Sequence, residues 1–129
     1  MRTNEAYRPE AGALVMAQVK TGEYIGEVVE VNGPRALVKI LAVVKHPEQG
    51  DLHNPYNPDV PFFHERRALS YTEKTNVLAG DIRPYAGSVP DYKESLTLAL
   101  AREIEGLDRL KRWAERGLEL LEQLGKEYR

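Results

Sequence analysis

The segment between residues 45 and 66 limits the possible folds of this chain more than any other part of the sequence. It contains four prolines, which exclude a long helix or a central strand there: Pro47, Pro55, Pro58 and Pro61. A loop longer than about 12 to 15 residues inside a small domain is usually functional or disordered. Disorder fits poorly with Phe62 and Phe63, which favour burial. We therefore predict that residues 45–66 form an ordered, functional loop.

Residues 13–75, which surround this loop, carry the pattern of a β-sheet. Three runs rich in β-branched residues are separated by short turns: Leu14–Val19, Tyr24–Val31 and Ala36–Val44. The turn Asn32-Gly33 is the strongest short hairpin signal, and Gly26 inside a strand predicts a bulge. A further strand at Arg67–Tyr71 is expected to close the sheet. Because the first turn looks like that of small SH3-like barrels, we predict such a barrel over residues 13–75, after a flexible N-terminus at residues 1–12.

After a connector at residues 76–90, the pattern is helical up to the end of the sequence. Asp91 is a favourable N-cap, and a first helix is expected from there to Glu105. Gly106 then offers a break, and an apolar stripe follows at alternating spacings of three and four: Leu107, Leu110, Ala114, Gly117, Leu121, Leu124 and Tyr128. We expect a pair of α-helices over residues 91–129, with the stripe more often packed inside the molecule than on a partner, and a homodimer open. The expected fold class is α+β.

Composition excludes several kinds of function. The chain has no cysteine, so it can hold no disulfide, thiolate zinc site or catalytic thiol. A net charge of −2 and a pI of about 5.9 argue against DNA or an anionic membrane as a partner. The first residues lack the apolar core of a signal peptide, and no apolar run is long enough for a membrane span, so a cytoplasmic protein is expected. No Walker loop, dinucleotide fingerprint or nucleophile elbow is present, and we predict neither a cofactor nor an enzyme.

All three histidines fall in the loop, at His46, His53 and His64. With Asp51 and Glu65 they offer imidazole and carboxylate groups, which are ligands of zinc and similar ions. Their separations of 7 and 11 residues match no metal motif, so we assign no metal site, and each histidine can equally bond loop backbone that has no ladder partner. Two alternatives stay open. One is a metal-binding module or metal-dependent enzyme built on these groups, and the other is an RNA-binding barrel, although the exposed aromatics among basic residues that RNA favours are not evident.

Several stretches of the sequence resemble one family. They are Lys20–Val28, Leu37–Val43, Lys45–His53, Val60–Leu69, Thr75-Asn76, Val89–Leu96 and Ala114–Arg116, and together they span nearly everything after the first dozen residues. The family is that of kinase-associated protein B of spore-forming Bacillales, also called kinase-associated lipoprotein B. The resemblance implies an SH3-like β-barrel followed by helices, no enzymatic activity, and a supporting role for a membrane sensor histidine kinase that feeds the sporulation phosphorelay.

The lipoprotein label calls for a lipobox cysteine behind an apolar leader, and this sequence has neither. We therefore expect no direct membrane anchor in the chain. Any association with the membrane should come through the kinase, as a peripheral contact.

On this basis we predict that the loop forms a docking surface for the kinase. Six polar residues are expected to shape it, with two aromatic residues as anchors of the loop or of the partner: His46, Asp51, His53, His64, Glu65 and Arg66, with Phe62 and Phe63. Arg66 and Arg67 form a compact basic pair that can grip a carboxylate or a phosphoryl group. The alternative for this pair is internal bonding to Glu65 or Asp51.

Overall fold

Five antiparallel strands form one sheet in the computed structural model, which describes residues 7–129. The strands are β1 (Leu14–Val19), β2 (Gly22–Asn32), β3 (Arg35–Lys45), β4 (Lys74–Leu78) and β5 (Ile82–Pro84), and a short 3₁₀ turn, Ala79–Asp81, joins the last two. Their order across the sheet is β4-β3-β2-β1-β5. One long helix, α1 (Tyr92–Glu127), follows. The α+β class is thus confirmed, while closure of the sheet into an SH3-like barrel stays a prediction.

The first three strands lie where the sequence pattern placed them, because both the pattern and its turns are local. The bulge expected at Gly26 is also present, since the pairing of β2 with β3 shifts register between Ile25 and Gly26. A Cβ at Gly26 would lie 2.4 Å from Val38 Cγ1 and 2.8 Å from the Lys39 carbonyl oxygen. Only glycine allows the two strands to approach this closely.

One face of the sheet and the start of α1 enclose the hydrophobic core. Its fully buried side chains come from the first three strands, and the largest are Tyr24, Ile40, Val15, Val28 and Val38. The helix contributes Ala99 and the buried hydroxyl of Ser95, which accepts a hydrogen bond of 3.0 Å from the Val43 amide. Asp91 caps the helix as predicted, accepting from the Glu94 amide at 3.1 Å.

The strand expected at Arg67–Tyr71 is wrong, since that segment is irregular. The physical reason lies at Leu69, whose backbone groups bond to side chains and not to a neighbouring strand. The Tyr24 hydroxyl accepts from the Leu69 amide at 3.3 Å, and the Tyr92 hydroxyl donates to the Leu69 carbonyl. The fourth and fifth strands instead form further on, so the stretch 76–90 is not a plain connector: it includes part of β4 and the whole of β5.

The expected pair of helices is also wrong. A single helix of 36 residues runs through Gly106 without a break. An isolated glycine costs only about 1 kcal/mol relative to alanine inside a helix, and no proline follows Pro90 to stop it. The predicted packing of the apolar stripe inside the molecule fails with it, because only the first turns of α1 contact the sheet, and Leu107, Leu121 and Tyr128 are exposed.

Residues 1–6 of the predicted flexible N-terminus lie outside the described residues. The remaining part is bonded to the sheet, where Gly12 N–H donates to the Val28 carbonyl at 2.7 Å and Pro9 is buried. Within residues 7–129, no helix combines the length and apolar character that a membrane crossing requires.

Candidate functional site

The His- and Pro-rich loop follows directly on β3, and a side-chain amide closes it at its base. Gln49 Nε2 donates to the Arg66 carbonyl at 2.9 Å, and the Arg66 amide donates back to Gln49 Oε1 at 2.7 Å. The Gly50 amide adds a bond of 2.8 Å to the His64 carbonyl. These bonds hold the two ends of the loop side by side, in the manner of a strand pair.

Arg66, predicted to contact a partner, is half-buried and reinforces the same closure. Its Nη1 donates to the Glu48 carbonyl at 3.0 Å. Arg66 forms no ion pair with Glu65 or Asp51, whereas Arg67 makes the internal pairing considered for the two arginines, with the exposed Glu65 carboxylate at 3.3 Å. Arg66 therefore stabilises the loop, and Arg67 is the more accessible member of the basic pair.

Asp51 organises a tight turn further along the loop. Its carboxylate accepts from the Asn54 side-chain amide at 2.9 Å and from the His53 backbone amide at 2.9 Å. These bonds favour the charged form, so the Asn54 amide first and the His53 N–H second hold the pKa of Asp51 below its ordinary value. The His53 side chain itself is exposed beside this turn.

The two phenylalanines stand largely outside the core, contrary to the burial that their chemistry favours. Phe62 is 73% and Phe63 61% exposed. Phe62 stacks on the His64 ring with centroids 6.1 Å apart and an interplanar angle of 21°. Phe63 lies over Gly50, where φ is +97° and an added Cβ would approach the ring to 2.9 Å. The loop thus presents two oriented aromatic rings to solvent.

The histidines do not converge. His46 is half-buried near β3, and its Nδ1 lies 2.9 Å from the Pro47 carbonyl oxygen, while His64 is stacked on Phe62. Within the part of the chain that the structure describes, no group of three or more histidine and acidic side chains is arranged to hold a metal ion. The bond of His46 to loop backbone matches the structural role considered for these residues.

An open groove of about 720 Å³ separates the returning arm of the loop from the first half of α1. The loop side includes Arg66, Arg67 and Tyr71, and the helix side includes Leu100, Ile104 and Leu107. Glu103, which lines the groove, lies 4.0 Å from Lys45 Nζ, and Lys45 Nζ also reaches Glu48 at 3.4 Å, which connects β3, the loop and the helix.

Sequence reasoning missed three residues that determine this geometry. Gln49 carried no signal, because an isolated glutamine among turn residues is unremarkable until its bonds are seen. Tyr24 and Tyr92 bond both backbone groups of Leu69, over separations of 45 and 23 residues. Their apolar surroundings raise the pKa of both phenols, with desolvation as the leading cause, so they stay neutral donors and acceptors.

A five-stranded antiparallel sheet, one long helix and a structured loop with two exposed aromatic rings define an α+β module. The family model "Kinase associated protein B" matches residues 19–129. The chain belongs to that family.

Two relatives support the assignment over most of the chain. Kinase-associated lipoprotein B of Bacillus subtilis (strain 168) is 49% identical over 120 residues, covering 92% of this chain and 94% of that protein. The crystal structure of kinase-associated protein B from Bacillus cereus aligns with a TM-score of 0.70 at 43% identity, covering 94% of this chain and 98% of the other.

Proposed function

We propose that this chain is a non-catalytic accessory protein of a membrane sensor histidine kinase in the sporulation phosphorelay, and that it docks on the kinase through the loop. The exposed pair Phe62 and Phe63, held on an ordered loop, is the observation that carries the proposal. Membership of the kinase-associated family supports the kind of partner.

Energetics favour these rings as the anchors. Binding energy in protein interfaces concentrates in a few aromatic and arginine side chains that become fully desolvated. Here the loop is already closed by the Gln49 and Arg66 bonds, so binding would not have to order it. His64 stacks on Phe62 and would form part of a polar rim with the exposed His53, Glu65 and Arg67, and the Asp51 carboxylate fixes the backbone of His53.

Crosslinked pull-down of the tagged protein from cells entering sporulation, read by mass spectrometry, tests the proposal. The test variant is the double substitution Phe62→Ala with Phe63→Ala. Leu78→Ala is the matched control, because Leu78 is an exposed apolar side chain opposite Arg35, at the far end of β3 from the loop. The double variant should lose a kinase that wild type and control both recover. With purified kinase, its dissociation constant should rise about 10-fold or more.

Two results would contradict the proposal: recovery of the kinase by the double variant at the wild-type level, or no kinase recovered by the wild type. The variant Arg66→Ala distinguishes a residue that supports the loop from one that only binds the partner. Because Arg66 holds the loop, its loss should increase proteolysis within residues 49–66 as well as weaken binding, whereas the phenylalanine variant should change binding alone.

A further inference from the structure

Most of α1 carries an apolar face that nothing in residues 7–129 covers. Seven positions on it are here called the helix stripe: Leu107, Leu110, Ala114, Gly117, Leu121, Leu124 and Tyr128. With Ile104, Trp113, Leu118 and Leu120 on its flanks, nine large side chains are between 37% and 79% exposed. Together they expose on the order of 1,000 Å², at roughly 150 to 250 Å² for each fully exposed large side chain. A stable interface buries roughly 800 Å² per partner, so a partner would have to cover most of the flanking side chains together with the stripe.

Charge is sorted to the opposite side of the helix. Between Ile104 and Leu124, the positions that face away from the stripe hold most of the ionised groups: Glu105, Asp108, Arg109, Arg112, Glu115, Arg116 and Glu119. Lys111 and Glu122 lie at the edge of the stripe, Glu122 in line with Ile104. Asp108 and Arg112 form an exposed ion pair of 2.9 Å on this outer face, as expected for a surface in contact with water. The alternating spacing of three and four along the stripe is the geometry of a helix that pairs with another helix.

The stripe is complementary to itself when two copies run in opposite directions. Its centre holds two small residues, Ala114 and Gly117, which allow close approach of two helices. If Ala114 of one chain lies opposite Gly117 of the other, Leu110 falls opposite Leu121 and Leu107 opposite Leu124. The two leucine layers on each side of the centre then match, whereas the flanking Leu120 falls opposite Lys111 and Tyr128 opposite Glu103.

The groove between the loop and α1 favours an antiparallel orientation of the two helices. The loop of each chain lines the beginning of its own stripe, next to Leu100, Ile104 and Leu107. Two parallel helices would bring both loops and both sheets to this one level. In the antiparallel register only the C-terminal end of the partner helix lies beside this groove, with the partner's Tyr128 level with Glu103.

We propose that α1 forms an antiparallel pair with α1 of a second copy of this chain, centred on Ala114 and Gly117, and that the end of each helix enters the groove of the other copy. This interface is separate from Phe62 and Phe63, so its failure and that of the kinase-docking proposal are distinguishable.

Sedimentation equilibrium of the purified full chain is the first test. Wild type should show a dimer that dissociates on dilution. Leu121→Glu places a charge in the stripe of both copies and should raise the dimer dissociation constant at least about 100-fold. Gln123→Glu, the matched control, adds the same charge on the outer face and should leave the dimer intact. Both variants should keep the wild-type circular dichroism, because neither residue contacts the sheet.

Trp113 gives an independent readout. It is the only tryptophan in the chain and is 75% exposed in the single copy. Its emission should shift to longer wavelength as wild type is diluted through the dissociation constant, and Leu121→Glu should show the long-wavelength spectrum at every concentration.

Introduced cysteines fix the orientation, since the chain has none of its own. A mixture of Leu107→Cys and Leu124→Cys chains should form mixed dimers with a short thiol crosslinker. Neither variant alone should crosslink, because identical positions would lie about 25 Å apart along the axis. Efficient crosslinking of each variant with itself, a monomeric wild type, or a dimer unaffected by Leu121→Glu would each overturn the proposal. If the wild type were a monomer, the stripe would instead be available to a helix of another protein.

Discussion

Replacing Ser95 with alanine should weaken the attachment of α1 to the sheet and so lower the free energy of unfolding. The Ser95 hydroxyl is 7% exposed, accepts from the Val43 amide at 3.0 Å and donates to the Tyr92 carbonyl at 2.7 Å. Val43 is itself only 4% exposed, so no solvent replaces the lost acceptor. Alanine would leave a buried amide without a partner.

The expected loss follows from these contacts. An unsatisfied buried donor costs about 1 to 3 kcal/mol. The better helix propensity of alanine recovers about 0.5 kcal/mol. We therefore expect Ser95→Ala to lower the free energy of unfolding by about 0.5 to 2.5 kcal/mol. With a urea m-value of about 2 kcal/mol per molar, the midpoint should fall by roughly 0.3 to 1.3 M.

Thr97→Ala supplies the comparison in urea unfolding followed by circular dichroism. Its hydroxyl donates to the Lys93 carbonyl at 2.9 Å, but it does so on the exposed side of the same helix. Its removal should change stability by less than about 0.5 kcal/mol. If Ser95→Ala unfolds at the same urea concentration as Thr97→Ala, water or a shifted helix satisfies Val43, and the reasoning is refuted.

Two further results are expected. Gly26→Ala should destabilise the chain by about 2 to 4 kcal/mol in urea, because the new methyl meets Val38 and backbone, while Gly80→Ala, with nothing within 4 Å, should change stability little; equal midpoints would contradict the bulge argument. Burial raises the pKa of Tyr24 above its unfolded value, so the stability that the neutral phenol contributes is complete below about pH 10 and is lost as the pH rises through the folded value. Thermal unfolding between pH 8 and 11 should show a smaller alkaline loss for Tyr24→Phe than for wild type, and no such relief for Tyr56→Phe, which alters a phenol that is 84% exposed.

The parts of the fold that sequence predicted are those set by neighbouring residues. The first three strands, the bulge at Gly26, the Asp91 cap and the hairpin between β2 and β3 all depend on contacts within a hairpin or a helical turn, although the two turn residues are Gly33 and Pro34, one position later than Asn32-Gly33. The segment Arg67–Tyr71 has the same local preference for a strand, yet Tyr24 and Tyr92 take both backbone groups of Leu69. Long-range side-chain bonds of this kind leave no pattern in the sequence.

The same limit applies to the candidate site. The loop was predicted to be ordered because Phe62 and Phe63 favour burial, but both rings are exposed, and hydrogen bonds of Gln49, Gly50 and Arg66 close the loop instead. The sequence did not predict the separate roles of the loop residues, because the part that Arg66 takes in holding the loop depends on its hydrogen bond to the Gln49 side chain. The predicted helix break at Gly106 is wrong, since one residue of low helix propensity cannot outweigh the strong helix formers on both sides.

The unbroken length of α1 also sets a distance. At about 1.5 Å per residue, its 36 residues measure roughly 54 Å, far longer than the two turns that hold it to the sheet. In the antiparallel pair the helices would act as a rigid spacer with one aromatic loop near each end. Two docking loops at a fixed separation would bind a partner with two equivalent sites far more tightly than one loop could. Inserting seven residues would lengthen this spacer by about 10 Å and nearly keep its face, whereas inserting five would rotate the rest of the stripe by about 140°.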